Sequence, residues 1–94
     1  MDVIVSNSNR KDKRYKVMYD NKVIHFGSRE GRTYIDHGDD NKKKAWLARH
    51  SKLSNFDDDT KPSFWSRWLL WHEKDIKNSM KYIGKMIDRT VVLR

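Results

Sequence analysis

The sequence predicts a small α+β domain: an antiparallel β-hairpin, extended where the terminal strands find partners, packed against three α-helices with a tryptophan-rich helix at the centre. Three observations carry that expectation. Tyr15, Val17 and Tyr19 alternate with polar or flexible residues, and Val23, Ile24, His25 and Phe26 return after Asp20, Asn21 and Lys22. Residues 61–87 open with Pro62, contain no further proline, and pack Phe64, Trp65, Trp68, Leu69, Leu70 and Trp71 into eight positions. Finally, 94 residues suffice for one domain, burying roughly 60–65% of the unfolded surface.

Taken in order, the chain begins with a β-prone run, Val3, Ile4 and Val5, too short to stand alone. It is mirrored by Val91, Val92 and Leu93, so each run calls for a partner, within the chain or on a second copy. A homodimer is expected on that ground. Residues 1–13 read as a mobile or dimer-pairing arm of the single domain 1–94, because residues 6–14 are polar and basic. The hairpin follows over residues 14–27, with Asn21 suited to the positive φ of a tight turn. Thr33, Tyr34 and Ile35 read either as a short strand or as the lead into a helix.

Asp39 or Asp40 can cap a helix running to about Leu53, on which Trp46, Leu47, His50 and Leu53 share a face. Residues 54–60 form an acidic loop, and Thr60 can cap the tryptophan helix. Wound at about 100° per residue, Phe64, Trp68 and Trp71 fall in one sector, Trp65 and Leu69 lie beside it, and Leu70 stands almost opposite. A helix apolar around most of its circumference needs neighbours on several sides. After a bend at residues 72–74, Asp75 can cap a last helix to about Asp88. Ile76, Met80, Ile83 and Ile87 form its apolar stripe, and Lys74, Lys77, Lys81 and Lys85 a separate cationic one.

The charge balance points to partners. The net charge is +8 and the isoelectric point about 9.8, which favours polyanions, nucleic acid ahead of membrane surface. Residues 1–35 and 61–94 carry net charges of +4 and +5, from eight Lys/Arg each against four and three acids; residues 36–60 carry −1. No cysteine is present, so no disulfide or thiolate metal site is expected. No run approaches a signal peptide or membrane span, and a soluble protein is expected.

Four groups of residues invite chemistry. The lysine stripe, with Arg10, Lys11, Lys13 and Arg14, suits salt-dependent phosphate contacts. Arg29, Arg32, Arg49 and His50 could form an anion clamp, although an arginine that caps loop carbonyls is the more ordinary outcome. His25, His37 and His50 with Asp36, Asp39 and Asp40 are of metal-ligand type, but no pair has helical ligand spacing. Capping aspartates and hydrogen-bonded histidines account for them, and no metal or other cofactor is expected. Trp46, Trp65, Trp68 and Trp71 could stack on bases, but at this density on helical faces they read as core.

Several of these residues recur as an ordered set: Ile24, His25, Phe26 and Gly27; Tyr34, Asp36, His37 and Asp39; Ala48, Arg49 and His50; and SRWLLW from Ser66 to Trp71. The set resembles a family of small basic proteins of large DNA viruses and some phages, catalogued as a domain of unknown function. It is most similar to the marseillevirus form, a virion protein. The likeness spans residues 14–87, and departs from the family where relatives often place an Asn-Lys-Pro turn and this chain has His72, Glu73 and Lys74. It implies a virion setting, with host cytoplasm or nucleus during infection, and no catalytic residue. The expected function is non-enzymatic, sequence-tolerant DNA binding or genome packaging. The alternative is a virion structural protein that contacts other virion proteins without nucleic acid.

Overall fold

The computed structural model describes residues 2–52 and 56–94. They form a small α+β domain in which one face of a mixed sheet is covered by helices. The strands are β1 (Val3–Asn7), β2 (Lys13–Tyr19), β3 (Lys22–Ser28) and β4 (Val91–Leu93), arranged β3-β2-β1-β4. The described helices are α1 (Tyr34–His37), α2 (Asp40–His50), α3 (Pro62–Trp65) and α4 (Ile76–Ile87). The chain continues from α3 into a π-helical turn, Ser66–Leu70.

The hairpin is β2 and β3, antiparallel, with Tyr19 opposite Lys22. Asp20 and Asn21 both take positive φ (49° and 63°), the backbone of the two-residue turn that matches strand twist. β1 lies antiparallel to β2 and parallel to β4, with Val3 opposite Val91 and Ile4 opposite Val92. The two terminal runs therefore find each other within the chain, and their need for partners gives no reason for a second copy. The stretch read as an arm contains β1, which is paired on both sides. The turn after it is held by Arg29, as described below.

Strand alternation sorts the sheet into two faces. Val3, Val5, Val17, Tyr19, Ile24 and Phe26 point into the core. Ile4, Met18, Val23 and Val92 form one cross-strand row on the other face, where Met18 is 37% and Val23 54% exposed.

The helical layer differs from expectation in three places, each for a local reason. First, residues 33–35, read as either a short strand or the lead into a helix, take the helical course, but as a separate turn, α1. The Asp36 carboxylate accepts from the Thr33 N–H (2.7 Å), and Gly38 (φ 60°) ends the turn. Second, Thr60 does not cap the tryptophan helix. Its hydroxyl donates to Asp58 (2.6 Å), and Lys61 holds the cap position. Third, the tryptophan helix widens. On an α-helical wheel Leu70 would face away from Phe64, but the i to i+5 turn at Ser66–Leu70 changes the rotation of the residues that follow Trp65, and Leu69 and Leu70 join Phe64 and Trp65 in the core. All four are then at most 1% exposed, and Trp68 is left half-buried.

The other sequence-derived caps are present. Asp39 accepts from the N–H groups of Asn41 and Lys42 on α2, and Asp75 from that of Lys77 on α4. The expected end of α2 near Leu53 lies outside the described residues, as do Ser54 and Asn55 of the acidic loop. The indole N–H of Trp65 donates to the Asp59 carbonyl (2.9 Å), and that of Trp68 to the Phe56 carbonyl (2.8 Å). Trp46 stacks on Trp71 at 5.1 Å. The four tryptophans thus pack in or against the interior, and for Trp65 and Trp68 burial of the indole N–H is made tolerable by those carbonyls. Among the described residues no helix is long and apolar enough to cross a membrane.

Candidate polyanion-binding surface

The amphipathic pattern of α4 positions this surface. Ile83 is fully buried, and Ile76, Met80 and Ile87 pack against the core, which fixes the rotation of the helix. Lys77, Lys81 and Lys85 consequently project to solvent, four residues or about 6 Å of rise apart. None of their ammonium groups has a carboxylate within ion-pairing distance among the described residues. Lys74 is exposed too, but it precedes the cap Asp75, and its carbon stem runs beside Gly38. The ridge on the helix is therefore three lysines, with Lys74 at its approach.

Beside the ridge runs a groove of about 970 Å³, closed on its other side by β4. Gly84 sets its depth. A Cβ there would lie 2.7 Å from the Arg89 carbonyl oxygen, so only glycine lets the end of α4 sit against the connection to β4. The Gly84 carbonyl accepts from the Arg89 N–H (2.9 Å), with Asp88 left-handed at φ 57°. β4 is an edge strand. Thr90 O and Arg94 N bond to β1, so the parallel ladder turns the peptide groups of Val91 and Leu93 outward.

The N-terminal basic residues have different fates. Arg10 and Lys11 are exposed in the turn between β1 and β2, and Lys13 starts β2. Arg14, expected among the phosphate contacts, instead donates through both terminal nitrogens to Asp36 (2.5 and 2.7 Å). That hydrogen bond holds the Asp36 carboxyl well below the usual carboxylate range, opposed by its partial burial, and raises the arginine.

The four residues of the expected clamp do not converge. Arg29 donates to the carbonyls of Ser8 (2.7 Å), Arg10 (2.8 Å) and Lys13 (3.1 Å), which makes it the brace of the β1–β2 turn. Arg49 is exposed on α2. Arg32 and His50 do meet, together with Lys13, around a cleft of about 430 Å³ between the open end of β3, α2 and the tryptophan helix. Gly27 keeps a wall of this cleft thin. Its φ is 78°, and a Cβ there would be 2.9 Å from Leu70 Cδ1.

The histidines and aspartates are dispersed. His25 Nδ1 is 2.7 Å from the Ser8 hydroxyl, and burial followed by the charges of Arg10 and Lys16 lowers its pKa. His37 Nδ1 accepts from the Asp39 N–H (2.9 Å), and His50 stacks on Trp46 at 4.4 Å. Asp40 accepts from the Tyr34 hydroxyl (2.5 Å), which lowers the carboxyl and raises the phenol. Among the described residues no three His, Cys, Asp or Glu side chains group as a metal site.

The groove beside the ridge and the membership of Lys13 in the cleft were not read from sequence. Gly84 was the available signal for the first, since an isolated glycine within a helical pattern marks a close approach. Nothing local marks Lys13, whose neighbours come from residues 27–71.

No curated protein and no solved structure matches the chain. A family model, described as a family of unknown function (DUF5754), matches residues 3–50, from β1 to the end of α2. That span includes the sheet's first three strands and the Arg14–Asp36 pair, covers just over half of the sequence, and stops short of the tryptophan helix and α4; the chain belongs to that family.

Proposed function

We propose that this protein is a non-enzymatic binder of nucleic acid, DNA first, that holds phosphates without reading sequence. The observation that carries the reading is the lysine ridge of α4: Lys77, Lys81 and Lys85 are exposed, lack carboxylate partners among the described residues, and sit on a helix whose opposite face is locked in the core. Lys74, Arg10 and Lys11 add to the positive surface, whereas Arg14 is committed to Asp36. The resemblance to virion proteins drawn from the sequence supports a viral particle as the setting, with genome packaging as the role.

The test is an affinity series against salt on duplex and single-stranded DNA. Phosphate contacts release counterions, so replacing Lys77, Lys81 and Lys85 together with Gln should make the log–log salt slope shallower by about 3 on duplex. No binding at low salt, or an unchanged slope, would remove the reading.

A second reading, a structural virion protein acting through protein contacts or as a homodimer, draws on the apolar row of Ile4, Met18, Val23 and Val92 across the uncovered sheet face. It predicts association that is insensitive to salt and is abolished by Met18→Glu. A protein that is monomeric at all concentrations in light scattering would sink the homodimer, and unchanged partner association in Met18→Glu would sink the reading as a whole.

A further inference from the structure

We infer that the cleft bounded by Lys13, Arg32 and His50 is a binding site for a phosphate monoester, separate from the lysine ridge. The argument starts from what the basic residues at this end of the sheet do. Arg14 and Arg29 have complete sets of partners, Asp36 for the first and three carbonyls for the second. Lys13 and Arg32 make no side-chain hydrogen bond or ion pair among the described residues, yet they line the same cleft, whose lining includes no aspartate or glutamate. Both cations thus face one cleft whose wall includes Leu70, Trp46 and Trp71. A bound dianion would supply the counter-charge that this lining lacks.

The remaining lining suits the same ligand. Ser28 and Ser66 bring hydroxyls, and His50 brings a ring nitrogen held in place by its stack on Trp46. A phosphate monoester carries close to two negative charges at neutral pH and three strong acceptor oxygens. It therefore matches one lysine and one arginine in charge, and the guanidinium in geometry. At about 430 Å³ the cleft exceeds a bare phosphate and falls within the range of small-molecule pockets, which leaves room for an organic group. A backbone phosphodiester fits less well: it has a single charge and must carry chain in and out.

The same chemistry arises from a free nucleotide-sized metabolite or from the 5′-phosphate at the end of a nucleic-acid strand. Calorimetry on the full chain distinguishes them. Adenosine 5′-monophosphate should bind and adenosine should not. Arg32→Gln and Lys13→Gln should each weaken binding about tenfold, the loss of one charge-assisted hydrogen bond, while Lys81→Gln leaves it unchanged. Arg32 is exposed in a loop, so its variant is expected to fold even if Lys13→Gln disturbs the start of β2. A 5′-phosphorylated trinucleotide that binds as well as the monophosphate, with its 5′-hydroxyl counterpart silent, identifies the strand end as the source. A phosphorylated trinucleotide that is excluded identifies the free metabolite. Equal binding of adenosine and its monophosphate, no heat with either, or wild-type affinity in Arg32→Gln would overturn the assignment. Because the ridge lysines do not line this cleft, the result is independent of DNA binding at α4.

Discussion

The arginines around the sheet and the lysines of α4 put the same formal charge to opposite uses. Arg14 grips Asp36 with two parallel hydrogen bonds, Arg29 gathers three carbonyls of one turn, and Arg89 forks onto Asp20 (2.7 and 2.9 Å), joining the hairpin turn to the α4–β4 connection. Lys77, Lys81 and Lys85 bind no carboxylate among the described residues. The difference follows from the side chains: a planar fork of five donors matches paired oxygens, whereas an ammonium on a flexible stem keeps its hydration and its mobility. Here Arg14, Arg29 and Arg89 close the fold, and the amines of α4 are left to face solvent. Net charge alone overstates the surface open to a polyanion, because part of it is internal wiring.

The comparison can be broken most directly at Asp36. Asp36→Asn removes a bidentate ionic acceptor and the reach-back to Thr33. It should lower unfolding stability by about 1–2 kcal/mol, allowing for the solvent screening of a partly exposed pair, as read from urea denaturation. The pH dependence sharpens this. The Asp36 carboxyl is depressed in the folded state, mainly by Arg14, so its contribution is present above its ordinary value of 3.8 and is lost as pH falls below it. His72 acts in a separate window. Burial and the Arg67 charge lower its pKa, so the unfolded chain takes the proton first and stability declines below its ordinary value of 6.5. Asp36→Asn should shrink the acid step, to which Asp40 and Asp58 also contribute, and leave the His72 step in place. A variant whose acid step is undiminished would show that the pair contributes nothing.

Next in size, Gly84→Ala should destabilise by about 1 kcal/mol, although alanine is worth roughly that much more than glycine in an unconstrained helix. The reason is the Arg89 carbonyl 2.7 Å from the new methyl, and a stabilised variant would mean that the groove does not depend on that approach. Arg29→Gln should cost a similar or smaller amount, with faster amide exchange confined to residues 8–14 as the turn loses its brace. At the other extreme, changing Lys77, Lys81 and Lys85 to Gln should move stability by less than about 0.5 kcal/mol. Should that triple variant unfold readily, the lysines would belong with the arginines, and the contrast would collapse.

What could be read in advance was local. The alternation of Tyr15, Val17 and Tyr19, the Asp20–Asn21 turn, the caps Asp39 and Asp75, and the apolar stripe of α4 each depend on residues within a few positions of one another. The tryptophan helix shows where such reading stops. Its composition announced a core, but an α-helical wheel could not place Leu70, because helix geometry itself yielded to packing. The expected clamp fared similarly. Arg29 took the ordinary carbonyl-capping role, Arg49 stayed outside the cleft, and Lys13 took a place beside Arg32 and His50 that no spacing foretold.

By itself the sequence determined a net positive charge, the hairpin, the helix caps and the two stripes of α4, since all but the charge rest on backbone preference and periodicity over short stretches. Only the tertiary structure decided that the terminal strands pair with each other, that a π-helical turn seats Leu69 and Leu70, and which cations keep a free charge. Those outcomes turn on distances between residues far apart in the chain. Electrostatic and packing energies depend on such distances steeply enough that composition cannot stand in for them.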